Sequence, residues 1–146
     1  DGLWRMWYTS CERWEMHNGN PRHYYHIRYA ESRDGIHWQA DGRVCIDFKD
    51  EHEYAIARPH VLKSDTGYEM WYSYRGDAYR IGYATSDDGL SWTRHDDKAG
   101  IDVSDSDPDS EMLAYPVVFE HEGRRHMFYN GNGYGKSGIC YAIWQD

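Results

Sequence analysis

The sequence predicts an all-β chain, a partial β-propeller of about two and a half four-stranded antiparallel blades. Three observations carry that expectation. Seven Trp and fourteen Tyr among 146 residues take the place that Leu and Ile hold in helical proteins, and aromatic residues favour strands. A Met-aromatic-Tyr element recurs three times, as Met6-Trp7-Tyr8, Met70-Trp71-Tyr72 and Met127-Phe128-Tyr129. Within each element bulk sits on both alternating faces, so each sheet needs cover on both sides.

The elements follow in a regular order. Each Met-aromatic-Tyr strand is entered from a polar or glycine turn and is followed by a second shared strand, carrying Ile27 and Tyr29, Ile81 and Tyr83, or Ile139 and Tyr141. Ahead of the second and third copies lie the matched inner strands ARPHVL (57 to 62) and AYPVVF (114 to 119). An outer strand begins at Trp38 or Trp92. The unit recurs after about 57 residues, and radial stacking of four-stranded sheets accounts for a repeat of that size. A β-sandwich competes but requires no fixed unit. The near copies HIRYAESRDGIHW and RIGYATSDDGLSW read as third strand, tight turn and start of the outer strand. Their Asp-Gly pairs supply the positive φ of a two-residue turn, and their Trp residues cap the interface to the next blade. This stretch is similar to the sialidase Asp-box, one residue shorter between Ser and Trp, and is read as scaffold.

This pattern divides the chain into residues 1–56, a partial blade lacking its inner strand, 57–113, a complete blade, and 114–146, a partial blade lacking its outer strand. A closed propeller needs at least four blades. Open blade faces invite pairing, so either a homo-oligomer or the missing N-terminal blades of a longer chain is expected to cover them. A net charge of −9 argues against nucleic acid as partner, and no apolar run approaches the roughly 18 residues of a membrane span. Cys11, Cys45 and Cys140 show no paired spacing and read as buried free thiols. No cofactor is expected. The nine His show no metal-binding spacing. Asp105, Asp107 and Asp109 alternate as in a calcium loop but lack its Gly and terminal Glu, so the 95–111 loop reads as solvated acid and no metal site is assigned.

The segments YEMWYS (68 to 73), RIGYATSDDGLSW (80 to 92), IARPHV (56 to 61), DSEM (109 to 112) and YNGNGYGKSG (129 to 138) resemble the five-bladed β-propeller glycoside hydrolase group of arabinanases, xylosidases, invertases and levansucrases. The resemblance covers essentially the whole chain and matches the C-terminal half of such a protein. It implies a funnel in which a nucleophile or base, a stabilising Asp and an acid Glu sit at inner-strand ends, two carboxyl groups being the chemical minimum. Two departures stand out. Arg58, in Ala57-Arg58-Pro59, stands where the stabilising Asp is expected, and Ala114, in Ala114-Tyr115-Pro116, where the acid Glu is expected.

Candidate site residues cluster at the inner-strand openings. Arg58 and His60 share a face if their strand is regular; Arg58 holds a carboxylate or hydroxyls in its fork, or pairs with Glu53 or Glu51. His60 is a candidate acid or base, and Glu111 the candidate carboxylate near the axis. Tyr115 stacks on a sugar ring or packs internally. Arg75, with Asp77, lines the rim or a solvated turn. Asn130, Asn132 and Tyr134 bind hydroxyls or shape a tight glycine loop. The expected function is a carbohydrate-active, glycoside hydrolase-like propeller with a saccharide ligand. The alternative is a non-catalytic module binding saccharides or proteins and stabilised by self-association.

Overall fold

A computed structural model describes residues 2 to 106 and 108 to 145. The strands are β1 (Trp4–His17), β2 (Asn20–Ser32), β3 (Val44–Ile46), β4 (Ala55–Ser64), β5 (Gly67–Arg75), β6 (Tyr79–Ser86), β7 (Thr93–Arg94), β8 (Ala114–His121), β9 (Arg124–Asn130) and β10 (Ile139–Ile143). Hydrogen bonding orders them β1-β2-β4-β5-β6-β7, with β3 on β2, and separately β10-β9-β8. All pairings are antiparallel except β2 with β4, a single parallel pair of Tyr25 with Ala55. The strands therefore form three meanders, β1 to β3, β4 to β7 and β8 to β10, the first two joined at one point. The first outer strand begins at Val44 rather than at Trp38, beside which only an isolated pair of Glu31 with Gln39 forms.

Alternating bulk on β5 is buried on both faces: Met70, Trp71, Tyr72 and Ser73 are all within 1% of complete burial. Met70 and Tyr72 pack with Ile27, Ile46 and Ile56 of the first meander and β4. Trp71 packs the other way, with Leu113, Val118, Met127 and Tyr129. Burial of each such side chain is worth about 1.5–3 kcal/mol, so β5 is the plank between two cores. The corresponding residues at the two ends are less covered: Met6 and Tyr8 are half-buried, and Phe128 is 43% exposed.

Several local features differ from the sequence-based expectation. The β1–β2 hairpin runs on to a turn at Asn18 and Gly19, with φ of 50° and 78°, and projects residues 11 to 20 into solvent. The Asp34-Gly35 and Asp88-Gly89 segments are not two-residue turns, because only the glycines take positive φ. Instead Asp88 Oδ1 accepts the N–H groups of Leu90 and Ser91 at 2.7 and 2.8 Å, Ser86 Oγ accepts that of Gly89 at 2.8 Å, and Trp92 Nε1 donates to Gly89 at 3.1 Å. The bonds from Ser91 and Leu90 lower the Asp88 carboxyl to a pKa of about 2. Ser32, Asp34, Gly35 and Trp38 repeat the arrangement. The knot around Gly89 meets β1, whose Trp7 Nε1 donates to the Gly89 carbonyl at 2.8 Å.

Cys45 is buried, which pushes its thiol up to about 11, but Cys11 is exposed and Cys140 only half-buried. Polar groups in the 95–111 loop are also less solvated than acidity alone suggests. Asp96 receives Arg94 at 2.6 Å and Tyr72 at 2.5 Å, and buried Asp109 receives Ser104 and Tyr129. Asp107 lies outside the described residues. No helix among the described residues is long and apolar enough to cross a bilayer.

Candidate functional site

Five described non-glycine residues take positive φ. Two, Asn18 and Glu122, serve hairpin turns, where a left-handed residue is ordinary. The other three are Arg58 (54°), Tyr115 (60°) and Tyr134 (60°), and the Tyr115 ring contacts both of the others. Arg58 and Tyr115 occupy the same place in the openings of β4 and β8, each just ahead of a proline. Proline pushes its predecessor toward extended backbone, so a left-handed residue there is costly and persists only where its surroundings impose it.

The imposing contacts are visible. Pairing of β4 with β5 breaks between Ala57 and His60, and pairing of β8 with β9 breaks between Ala114 and Val117. Such bulges re-aim a side chain. The freed N–H of Arg58 donates to Thr9 Oγ1 at 3.0 Å, and that of Tyr115 to Ser73 Oγ at 2.7 Å. Thr9 and Ser73 each directly follow a Met-Trp-Tyr element. The hydroxyl of one strand group therefore fixes the inner strand of the next.

Both re-aimed side chains enter one mouth. The Arg58 guanidinium lies 5.3 Å from the centre of the Tyr115 ring. Tyr115 stacks on Tyr134 at 6.2 Å and 25°, and both rings contact Tyr79 at 6.0 and 5.9 Å. Arg75, at the end of β5, donates from Nη1 to the Tyr134 hydroxyl at 3.0 Å and lies over the rings of Tyr54 and Tyr79 at 5.4 and 5.3 Å. Burial, then the neighbouring Tyr115 and Tyr134 hydroxyls, push Tyr79 up to about 12. Burial also raises Tyr115, with Arg58 acting the other way. Arg58 and Tyr134 are exposed and Tyr115 and Arg75 half-buried, so this wall is open to a ligand.

Arg58, Arg75, Tyr115 and Tyr134 are thus brought together. Glu53 does not pair with Arg58, because it is held by Arg94 at 2.8 and 2.9 Å. His60 lies elsewhere: the bulge removes the regular alternation that would place it beside Arg58. It is half-buried against β8, with Nε2 lacking a partner and burial lowering its pKa against a backbone hydrogen bond at Val118. Glu111 is exposed beside the mouth, its N–H donating to Asn132 Oδ1 at 2.8 Å and its carbonyl accepting Arg80 at 2.9 Å. Asn132 also accepts the N–H of Met112 and donates to Ser110 at 3.2 Å each. Asn130 Nδ2 donates to the Tyr134 carbonyl at 3.1 Å. Both amides therefore shape the loop that presents Tyr134. Asp77 is exposed.

Tyr54, Tyr79, Arg22 and His23 escaped the sequence reading. The first two sit one residue before β4 and at the start of β6, where aromatic residues look like ordinary core. Arg22 and His23 belong to the projecting hairpin, whose extent no motif marks. Arg22 lies 4.3 Å from the Tyr54 ring, and with His23, Asn20, Tyr54 and Arg75 it lines a cleft of about 400 Å³. Burial, then the charge of Arg75, lower the pKa of His23. Among the described residues no three His, Cys, Asp or Glu side chains group as a metal site requires.

No protein-family model matches the chain. It is 44% identical, over 145 residues, to an uncharacterised protein of Mycobacterium tuberculosis, a match that takes in 99% of this chain and 48% of that protein. The chain spans about half the length of the curated relatives it matches. Among solved structures, one described as a glycoside hydrolase superposes with a TM-score of 0.75 at 21% identity, over 97% of this chain and 41% of the other. Sucrose-6-phosphate hydrolase from Lactobacillus gasseri superposes with a TM-score of 0.75 at 16% identity, over 100% of this chain and 30% of the other. Likeness at such identities is likeness of fold, and the chain is a partial β-propeller with the fold of part of the glycoside hydrolase propellers.

Proposed function

We propose that the chain supplies the saccharide-binding wall of a carbohydrate-active, glycoside hydrolase-like propeller, with Arg58, Arg75, Tyr115 and Tyr134 as the binding residues. One observation carries this reading. The three left-handed residues outside hairpin turns converge on one open mouth, and strain of this kind concentrates where a side chain must be presented. Exposed aromatic faces offer the flat apolar surface on which a sugar ring lies, and guanidinium groups offer donors to its oxygens.

Binding, rather than bond cleavage, is the role these residues support by themselves. Glycoside hydrolysis takes two carboxyl groups flanking the bond. Glu111 stands beside the mouth, and among the described residues no carboxylate is hydrogen-bonded or ion-paired to Arg58, Arg75, Tyr115 or Tyr134. In this reading the opposing carboxylate belongs to blades outside this chain, or to a second copy against its open faces.

Titration calorimetry against a panel of oligosaccharides tests the proposal. Binding that weakens about tenfold or more in Tyr115→Ala and Tyr134→Ala, as expected for aromatic anchors, supports it. Absence of binding to every saccharide, or binding indifferent to both substitutions, overturns it. Turnover of aryl-glycosides by the chain, abolished in Glu111→Ala, would show instead that the chemistry is complete here.

A further inference from the structure

The mouth is unusual in charge as well as in backbone. The chain carries 25 acidic and 16 basic residues, and three partly buried arginines have carboxylate partners: Arg94 with Glu53 and Asp96, Arg125 with Glu69 and Glu120, Arg80 with Asp102. The cleft between the projecting hairpin and Arg75 offers no such partner. Its lining holds Arg22, Arg75, His17 and His23 and no acid. Four other clefts on the surface each include at least one Asp or Glu.

The two arginines of this cleft are held by aromatic rings and, for Arg75, one tyrosine hydroxyl. Arg22 and Arg75 both lie over Tyr54. Among the described residues neither has a carboxylate within ion-pair distance. Arg75 makes one side-chain hydrogen bond, to Tyr134, while its Nε is buried with no partner. A buried unpaired donor costs free energy, and two guanidinium groups gathered at one ring repel each other without a nearby anion. Aromatic faces tolerate cations but do not neutralise them. Arg58 extends the cationic surface past the Tyr115–Tyr134 stack.

We infer that this cleft receives the carboxylate of an acidic saccharide, a uronic acid unit, with Arg75 and Arg22 holding the charge while the sugar lies toward the Tyr134–Tyr115 wall. A planar guanidinium fork matches the two oxygens of a carboxylate and adds geometric selectivity to charge. A neutral sugar would leave both arginines without a counter-charge. The depressed pKa of His23, caused by burial and then by Arg75, agrees with a positive potential inside the cleft. The inference deepens the proposed saccharide-binding role and depends on it, naming the class of sugar.

The experiment compares, by calorimetry on the purified chain, oligosaccharides of glucuronic acid with the same oligomers reduced to glucose, and with a sulfated counterpart. The expected result is a preference of about tenfold or more for the uronate oligomer, falling as salt rises. The ratio of uronate to neutral affinity should fall about tenfold in Arg75→Gln and in Arg22→Gln. Arg22 is half-buried over Tyr54 on the projecting hairpin, outside the main cores, and thermal melts of both variants confirm that the fold is kept. Equal affinity for the uronate and neutral oligomers overturns the inference while leaving the saccharide-binding role intact. Binding of the sulfated form alone overturns the choice of carboxylate. Failure of every saccharide to bind overturns both readings.

Discussion

The N–H of Tyr115 donates to Ser73 Oγ over 2.7 Å, as the N–H of Arg58 donates to Thr9 Oγ1 over 3.0 Å. The two bonds do the same job in different surroundings, since Ser73 is fully buried and Thr9 is exposed. Ser73→Ala leaves a bulge N–H without an acceptor where water does not replace it, costing about 1–3 kcal/mol. Thr9→Ala, which water can repair, should stay within about 0.5 kcal/mol of the parent. Urea unfolding of both variants checks the difference. Equal costs would mean that burial does not set the value of this bond.

Arg94 ties two carboxylates into one knot. Its two terminal nitrogens reach Glu53 at 2.8 and 2.9 Å and Asp96 at 2.6 Å, and Tyr72 closes the circuit on Asp96 at 2.5 Å. Burial opposes the guanidinium charge, but the hydrogen bonds and charges around it outweigh that and raise its pKa. Arg94→Met should cost about 3–5 kcal/mol, because Glu53 is left buried without a counter-charge. Adding Glu53→Gln should recover part of the loss, a coupling that a double-mutant cycle by denaturant unfolding measures. Additive costs would show that the two side chains act independently.

Acid sensitivity should have a source at Glu69. Burial alone would raise its pKa, but hydrogen bonds from Arg125 at 2.9 and 3.0 Å and from Tyr83 at 2.6 Å outweigh it and hold the carboxyl below its ordinary value. With the folded pKa below the unfolded one, the folded state binds fewer protons. The contribution is therefore complete above the unfolded carboxylate value of about 4.3 and is lost as pH falls through the folded value. Melting temperatures followed from pH 6 to pH 3 should fall less steeply for Glu69→Gln than for the parent. Identical slopes would exclude Glu69 as a source of acid sensitivity.

What was legible in the sequence was what repeats. Met70, Trp71 and Tyr72 announce a strand covered on both faces because a two-residue period leaves no polar side, and β5 is buried accordingly. Arg58 and Tyr115 stood out in the sequence because each lies at the opening of a matched inner strand, where the resemblance expects a site. His60 was misplaced for a physical reason: alternation holds only in a regular strand, and the left-handed Arg58 breaks it. Tyr54 was not legible, since a Tyr that borders a cleft and a Tyr that fills a core have the same neighbours in sequence. The Asp34 and Asp88 loops were read as tight turns because Asp-Gly has that preference locally, whereas the side chains of Ser32 and Ser86 reorganise the backbone.

Trp71 and Phe128 hold the same place in their strands and meet opposite fates. Trp71 is 1% exposed, closed in by Tyr83, Arg125 and Trp144 at 5.0, 4.9 and 6.0 Å. Phe128 is 43% exposed, on a face shared with Val117, Ile139, Tyr141 and Ile143, which are exposed by 48, 77, 49 and 38%. A contiguous apolar sheet face of this kind marks an interface, and in solutions of this chain the available cover is another copy. The chain should therefore associate at micromolar concentration, and Phe128→Asp with Ile139→Lys should return it to monomer without lowering its melting temperature, because both side chains point away from the core formed by Val118, Met127 and Tyr129. Light scattering decides the matter: a monodisperse monomer for the unsubstituted chain at high concentration would show that the face stands open without self-association.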